Sequence, residues 1–115
     1  MCIRDRFSDY ILGSPSLWYD KRHALTLEAG YAKQNRDLKA NVYLYVGAFE
    51  ALRKGDRRYN QTVDMVADNR ALEAALQSRK YPSLKLKSSV LNDEDHLTVA
   101  PRGFTRGLKY LLPVR

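Results

Sequence analysis

The stretch that decides the fold is Val42-Tyr43-Leu44-Tyr45-Val46, which is closed by Gly47. It is an unbroken run of β-branched, aromatic and aliphatic residues. Such a run is typical of a strand that is covered on both faces, as the strands of a parallel sheet are. The sequence therefore predicts a strand in the sheet interior, with other elements packed above and below it.

Two further strands are predicted on either side of this run in the chain. Asp9-Tyr10-Ile11-Leu12-Gly13 is short and ends at Ser14-Pro15-Ser16, where the proline cannot donate to a strand ladder. Leu84-Lys85-Leu86-Lys87-Ser88-Ser89-Val90 alternates, so that its lysines share one face. Lysine commonly guards an exposed strand, so this segment is predicted at or near the sheet edge.

Helical segments alternate with the strands, which gives the order βαβαβα and an α/β fold with a mostly parallel sheet. The predicted helices cover about 21–33, 63–79 and 101–112, with Asp20 and Thr62 as caps of the first two and Pro113 ending the third. The apolar residues that share one helical face are Ala24, Leu27 and Tyr31 in the first, Met65, Leu72, Ala75 and Leu76 in the second, and Phe104, Leu108 and Leu111 in the third.

Length and composition set the outer limits. The chain has 115 residues and a net charge of +7, with one cysteine, Cys2, so an internal disulfide is excluded. No apolar run is long enough to span a membrane, and no signal peptide is visible. Residues 1–6 are predicted to be a non-native leader, and 7–115 to be the folded part. The compartment is left open.

Chemistry in an open parallel sheet is expected at the carboxyl ends of the strands, because the loops there converge. These loops are 14–18, 49–59 and 92–98. The third contains His96, whose ordinary pKa of about 6.5 suits a general base. The second contains Glu50, a carboxylate that could orient His96. On the residues alone, both could equally be solvated loop side chains, and Trp18 of the first loop could be a core anchor or a pocket wall.

Three motifs, in order, resemble a known family. Residues 7–20, with Ser14-Pro15-Ser16-Leu17-Trp18, resemble the strand ending in Ser-Pro-Ser-x-Trp of enterochelin-esterase-like members of the α/β-hydrolase superfamily. Residues 42–50 resemble the next strand with its Val-Gly-x-x-Glu turn. Residues 92–99 resemble the loop that presents the catalytic histidine, although Asn92 or Asp93 stands where the family often has glycine. Residues 106–111 resemble the closing helix.

The resemblance implies a serine esterase that acts through an acyl-enzyme on a small-molecule ester, with no cofactor and no metal. It makes His96 the general base and acid, and Glu50 the candidate triad acid, with Asp56, Asp93 and Asp95 as rivals. The substrate-binding candidates in the first loop are Ser14, Ser16 and Trp18. His23 is predicted to be an exposed surface residue.

One element of this family is absent from the sequence. Its nucleophile lies on a Gly-x-Ser-x-Gly elbow, and no such pentapeptide occurs in the 115 residues. Since the triad order is serine, acid, histidine, the serine is expected before Phe7. The chain is therefore predicted to be the C-terminal half of an α/β-hydrolase domain, with the missing N-terminal part as its partner. Alone, it is expected to be marginally stable or aggregation-prone, and inactive on esters.

A second class of function starts from the charge. A net charge of +7 suits a nucleic-acid-binding module, and residues 53–59 and 79–81 combine basic residues with tyrosines. Acidic residues are scattered among them and no nucleic-acid-binding motif is present, so nucleic acid is the less favoured partner. A non-catalytic binding domain of the same α/β fold is the remaining alternative.

Overall fold

Three parallel strands form one sheet in the computed structural model, which describes residues 8–15, 17 and 19–112, without the side chains of 19–22. Strand β1 is Asp9–Gly13, β2 is Ala40–Gly47 and β3 is Leu84–Leu91. Strand β2 lies between the other two, and seven of its eight residues are buried. The prediction that the central run lies in the sheet interior is confirmed.

Three helices connect and follow the strands. Helix α1 is Tyr19–Gln34, α2 is Met65–Ser78 and α3 is Val99–Leu111, and a single 3₁₀ turn, Ala48–Glu50, directly follows β2. The predicted βαβαβα order and parallel α/β sheet are therefore confirmed. No helix among the described residues is both long and apolar enough to cross a membrane.

Side chains of β2 alternate between two cores. Val42 and Leu44 pack with Leu72 and Leu76 of α2, in a cluster that Tyr31 of α1 also joins. On the opposite face, tyrosines of β2 pack with residues of α3. This second cluster comprises Tyr43, Tyr45, Leu91 and Val99, with Ile11 and Tyr110 packed against it. Since β2 supplies side chains to both faces, the absence of charged residues from this strand follows directly from its place in the sheet.

Helix α3 meets the sheet through a face that the sequence pattern did not predict. Phe104 and Leu108 are 53% and 38% exposed, whereas Val99, Gly103 and Gly107 are buried. A Cβ atom at Gly103 would collide with the Tyr45 ring, so the glycine lets the helix lie directly over that tyrosine. Of the three apolar residues that were predicted to share a face, Leu111 is half-buried, while Phe104 and Leu108 point away from the described sheet, because small residues rather than large ones form the contact.

Two smaller predictions were also wrong. Ala24 and Leu27 are exposed in α1, because the helix turns Leu25 and Tyr31 toward the core and directs Glu28 to Arg79 at the end of α2. Helix α2 is capped by Asp64 rather than Thr62: the Asp64 carboxylate accepts a hydrogen bond from the Ala67 backbone N–H at 2.8 Å. The carboxylate satisfies a free N–H of the first turn, so the helix starts at Met65.

The two outer strands differ in how they meet solvent. Lys85 and Lys87 of β3 are exposed and Leu84 and Leu86 are half-buried, so the predicted alternation of an edge strand is confirmed. Within the described sheet β1 pairs only with β2, and its Leu12 is 37% exposed. The β1 side is therefore the apolar edge, and the β3 side is the basic one.

Candidate functional site

Glu50 is the point at which the loops after all three strands meet. Its carboxylate Oε2 accepts hydrogen bonds from Ser14 Oγ, just after β1, at 2.6 Å and from the backbone N–H of Gly47, at the end of β2, at 2.7 Å. The other oxygen, Oε1, lies 2.7 Å from Nδ1 of His96, beyond β3. Glu50 is only 1% exposed. The predicted convergence of the three loops is thus observed on one buried carboxylate.

His96 contacts this carboxylate while remaining open to solvent. Its side chain is 64% exposed, although its partner is almost fully buried. An ionised carboxylate only accepts hydrogen bonds, so the imidazole must carry a hydrogen on Nδ1 to make this contact. In the neutral ring, Nε2 then keeps its lone pair and can accept a proton. The arrangement holds one imidazole nitrogen and leaves the other free for chemistry.

Gly47 allows the loops that carry Glu50 and His96 to approach each other. A Cβ atom at position 47 would collide with the backbone carbonyl of Glu94. The same carbonyl accepts a hydrogen bond from the Phe49 N–H at 3.1 Å, which ties the loop after β2 to the loop after β3. From the sequence, Gly47 was identified as the end of a strand and as the glycine of the Val-Gly-x-x-Glu turn. Its position three residues before an acidic residue was the available signal for a role in the site.

Asn60, which was not singled out from the sequence, fixes the backbone of Glu50. Asn60 donates from Nδ2 to the Glu50 backbone carbonyl at 2.7 Å. The Asn60 N–H also donates to the carbonyl of Ala51 at 3.0 Å. The segment that follows Glu50 thus folds back on it, and both the side chain and the backbone of Glu50 are fixed. No local motif in the sequence marks Asn60.

The turn that presents His96 is organised by its neighbouring acids. Asp95 Oδ1 accepts hydrogen bonds from the N–H groups of Leu97 and Thr98 at 2.8 and 3.0 Å, as the chain enters α3. Asp93 has a φ of 62°, a left-handed conformation that favours glycine and that aspartate tolerates better than most residues. This conformation explains why the family that the sequence resembles often has glycine in this turn.

Asp56, another candidate for the acid, is committed to a different partner. Its carboxylate accepts hydrogen bonds from Nε and Nη2 of Arg58 at 3.1 and 2.9 Å. These hydrogen bonds hold the pKa of Asp56 at about 2, below the ordinary value of 3.8. Of the four acids considered, Glu50 is the one whose carboxylate lies within hydrogen-bond distance of His96.

The negative charge of Glu50 affects the pKa of the neighbouring Tyr45 phenol. Burial, and next to it the negative charge of Glu50, raise the pKa of Tyr45 above its ordinary value of 10.0. Tyr45 also accepts, through its backbone carbonyl, the Ser14 N–H at 2.8 Å. Tyr45 therefore forms one wall of the site, next to both the Glu50 carboxylate and the loop after β1.

Of the three residues predicted to bind substrate, the structure describes one, Ser14. Ser14 is 8% exposed, has a φ of 43°, and donates its hydroxyl to Glu50, so the contact it makes is with the acid. Its substrate contact stays a prediction. Ser16 and Trp18 lie outside the described residues. His23 is exposed on α1, as the sequence analysis expected.

The two basic clusters singled out for nucleic acid are paired only in part. Arg58 pairs with Asp56, and Arg79 pairs with Glu28 at 3.0 Å. The guanidinium carbon of Arg53 lies 4.5 Å from the centre of the Tyr59 ring. Lys54, Arg57 and Lys80 of the same clusters are exposed. Binding of nucleic acid to these clusters stays the less favoured prediction. Among the described residues, no group of three His, Cys, Asp or Glu side chains could hold a metal ion.

Solved structures with a similar fold include proteins described as hydrolases. BES protein from Bacillus cereus is 25% identical, with a TM-score of 0.69 over 94% of this chain and 37% of its own. An IroE-like serine hydrolase from Shewanella oneidensis is 22% identical, with a TM-score of 0.72 over 91% of this chain and 32% of its own. The siderophore hydrolase EstB from Aspergillus nidulans is 21% identical, with a TM-score of 0.60 over 94% of this chain and 43% of its own.

These comparisons define the fold and the part of it that is present. No protein-family model matches the sequence, and no curated protein sequence does so either. The chain spans between 32% and 43% of the length of the solved structures named above. The predicted resemblance to the α/β-hydrolases is therefore confirmed at the level of the fold, over about a third to two fifths of the length of these structures.

Proposed function

We propose that this chain supplies the general base and the orienting acid of a serine carboxylic-ester hydrolase, and that the serine nucleophile belongs to sequence outside the 115 residues. The observation that carries the proposal is the 2.7 Å contact between His96 Nδ1 and the buried carboxylate of Glu50. The same contact appears in Ser-His-acid triads, where the acid fixes the imidazole and stabilises its charged form.

In the proposed reaction, Nε2 of His96 takes the proton of the serine hydroxyl as the serine oxygen bonds to the ester carbonyl carbon. Glu50 stabilises the resulting imidazolium through Nδ1–H. Nε2 then returns the proton to the leaving alcohol oxygen as the C–O bond breaks and the acyl-enzyme forms. Water repeats the cycle: His96 takes a proton from the water as the water oxygen bonds to the acyl carbonyl carbon, the bond between that carbon and the serine oxygen breaks, and the proton returns to the serine oxygen. The exposure of His96 fits a group that must meet both substrate and water.

Ser14 acts in this proposal as a positioning residue. The carboxylate of Glu50 can rotate unless its second oxygen is held, and Ser14 and Gly47 both donate to that oxygen. The Ser14 hydroxyl comes from the strand opposite the histidine loop, so it anchors the acid from the side away from His96. We expect its loss to affect the orientation of the imidazole more than its chemistry.

The apolar surface supports the proposal that more of the same domain packs here. Leu12 of β1 is 37% exposed, and Phe104 and Leu108 of α3 are 53% and 38% exposed. Strand β1 lies at the edge of the described sheet. A further strand and helix of the same domain would cover these residues and pair the free edge of β1. This covering would come from the part of the protein that carries the nucleophile.

The test is ester hydrolysis by the protein that the complete reading frame of this chain encodes. We expect that His96→Gln lowers kcat for a p-nitrophenyl ester by about 10²- to 10⁴-fold, and that Glu50→Gln also lowers it strongly. His23→Gln is the matched control, because it changes the other histidine of the chain, and should leave kcat unchanged. Full activity of the His96 variant would contradict the proposal. Serine-dependent turnover by the 115-residue chain alone would contradict the placement of the nucleophile.

A further inference from the structure

A groove lined by basic side chains runs between β3 and α3. Its main cavity has a volume of about 450 Å³ and is lined by Tyr43, Lys87, Ser89, Arg106, Lys109 and Tyr110. A second cavity of about 290 Å³ shares Tyr110 and adds Lys85. We call the two together the basic groove. The main cavity has the size of a small-molecule pocket, which commonly measures about 300 to 1,000 Å³.

The basic groove carries positive charge without acidic residues beside it. Neither β3, with the sequence LKLKSSVL, nor α3, with the sequence VAPRGFTRGLKYL, contains a carboxylate. Lys85, Lys87, Arg106 and Lys109 are all exposed. Like charges held close together repel one another unless an anion lies between them. The nearest acid of the neighbouring strands is Asp9, which accepts hydrogen bonds from Asn41 at the far end of the second cavity and from Ser8.

Three arginines elsewhere in the described chain have acidic partners. Arg58 pairs with Asp56, Arg79 with Glu28, and Arg102 with Glu94. No described carboxylate forms such a pair with the four cations of the basic groove. The basic groove therefore gathers four unpaired cations around one cavity, and it is not one of the two clusters that were predicted from the sequence.

Aromatic residues form the floor and one wall of the basic groove. Tyr43 is 2% exposed, and its ring centre lies 5.9 Å from that of the half-buried Tyr110. The ammonium of Lys87 lies 5.9 Å from the centre of the Tyr110 ring, so its charge is directed over the cavity. The floor is therefore rigid, and Ser89 adds a hydroxyl that can donate to a ligand oxygen.

We propose that the basic groove binds a small anion that carries two or more phosphate groups. An arginine fork and lysine ammonium groups are the side chains that recognise phosphate oxygens. Two or more phosphates would meet Arg106 and Lys109 on the helix and Lys87 on the strand at the same time. The groove lies between β3 and α3, whereas His96 and Glu50 lie beyond the strand ends. It is therefore a second site that does not depend on ester hydrolysis.

The test is titration of the protein encoded by the complete reading frame with inorganic tripolyphosphate and, separately, with ATP, followed by calorimetry and by backbone amide shifts. We expect saturable binding with the largest shifts at Ser89 and Tyr110. The double variant Lys87→Gln/Lys109→Gln should weaken binding by about tenfold or more. The control Lys33→Gln/Lys54→Gln removes the same charge from exposed lysines outside the groove and should weaken it far less. Equal losses in the two double variants, or the absence of binding, would overturn the proposal.

Two further arms identify the source of the phosphate. Tighter binding of ATP than of tripolyphosphate, lost in Tyr110→Leu, would support a nucleotide whose base stacks on that ring. Equal binding of the two would support an inorganic or otherwise non-aromatic phosphate. A single-stranded oligothymidine that binds more tightly than either, at equal phosphate concentration, would overturn the small-anion assignment in favour of a nucleic-acid surface.

Discussion

Glu50 and Asp56 are acids of the same loop and differ in almost every physical respect. Glu50 is 1% exposed and receives hydrogen bonds from residues that follow β1 and β2, and from the histidine beyond β3. Asp56 lies near the surface and is held by Arg58, two residues away. The first acid links three distant parts of the chain, and the second stabilises only its own turn.

This difference shows what turns a loop carboxylate into part of a site. Both acids are satisfied by hydrogen bonds, so satisfaction alone does not distinguish them. The distinguishing features are burial and long-range partners, since Ser14 and His96 are 36 and 46 residues from Glu50 in the sequence. Removing a buried, long-range acid should disturb the fold, whereas removing a local, exposed one should not.

The largest effect is expected from Glu50→Ala. The substitution leaves the Ser14 hydroxyl and the Gly47 N–H without their acceptor in a buried space, and also opens a cavity. We expect the free energy of unfolding to fall by about 3 kcal/mol or more. Urea unfolding followed by circular dichroism measures it, with Glu50→Gln as the control that keeps the shape and one acceptor oxygen. An unchanged midpoint for Glu50→Ala would show that the carboxylate does not join the loops.

The next effect is expected from Gly47→Ala. The added methyl group meets the Glu94 carbonyl, so the loops that carry the acid and the histidine must move apart. We expect a loss of about 2 kcal/mol, together with weakening of the contact between Glu50 and His96. Gly30→Ala is the matched control, because nothing lies near that position, and it should be neutral or stabilising. Equal stability of the two variants would contradict the close approach.

A smaller effect is expected from Ser14→Ala. One donor to Glu50 Oε2 is lost while the Gly47 N–H remains, so the loss of stability should be about 1 to 2 kcal/mol. Ser78→Ala on the exposed end of α2 is the control for removing a hydroxyl from the same chain. In the proposed hydrolase, Ser14→Ala should lower kcat more than it raises KM, which is the result expected for a positioning residue. A change confined to KM would instead support the substrate contact predicted from the sequence.

The smallest effect is expected from Asp56→Asn. At neutral pH the free energy of unfolding should hardly change, because the Asp56–Arg58 pair is exposed. The pKa of Asp56 is lowered to about 2, so the small stabilisation it gives is present above pH 3.8 and is lost as the pH falls toward 2. A carbon-detected NMR titration should place its midpoint near 2, and Arg58→Gln should move it up toward 3.8. A titration midpoint that does not change in Arg58→Gln would contradict the pairing of Asp56 with Arg58.

The sequence was sufficient for the elements whose signals are local. The uninterrupted apolar run of β2 and the alternation of β3 each report their surroundings directly, and the structure confirms both. Helix α3 shows the limit of this reasoning, because its Phe104 and Leu108 lie outward and its glycines face the sheet. Hydrophobic periodicity shows which residues share a face of a helix. The surface that the helix packs against, here Tyr45 and Ile11, decides which face is buried.

The candidate site was predictable in part for a related reason. The rule that loops converge at the carboxyl ends of parallel strands placed Glu50 and His96 in the same region, and the structure brings them together. The role of Asn60 could not be predicted, because it depends on a contact with the Glu50 backbone that the sequence does not reveal. The spacing of Gly47 before Glu50 was visible in the sequence, but its close approach to the Glu94 carbonyl was not. Likewise, the basic groove joins strand and helix residues that are about 20 positions apart.

The central claim is that Glu50 holds Nδ1 of His96 and leaves Nε2 free as a base. The measurement is a long-range ¹H–¹⁵N spectrum of the two histidines at a pH where both are neutral. We expect His96 to carry its hydrogen on Nδ1 and His23, exposed on α1, to show the Nε2–H form favoured by free imidazole. Glu50→Gln should shift only the His96 signals. A His96 ring that is protonated on Nε2, or that is insensitive to Glu50→Gln, would contradict the account.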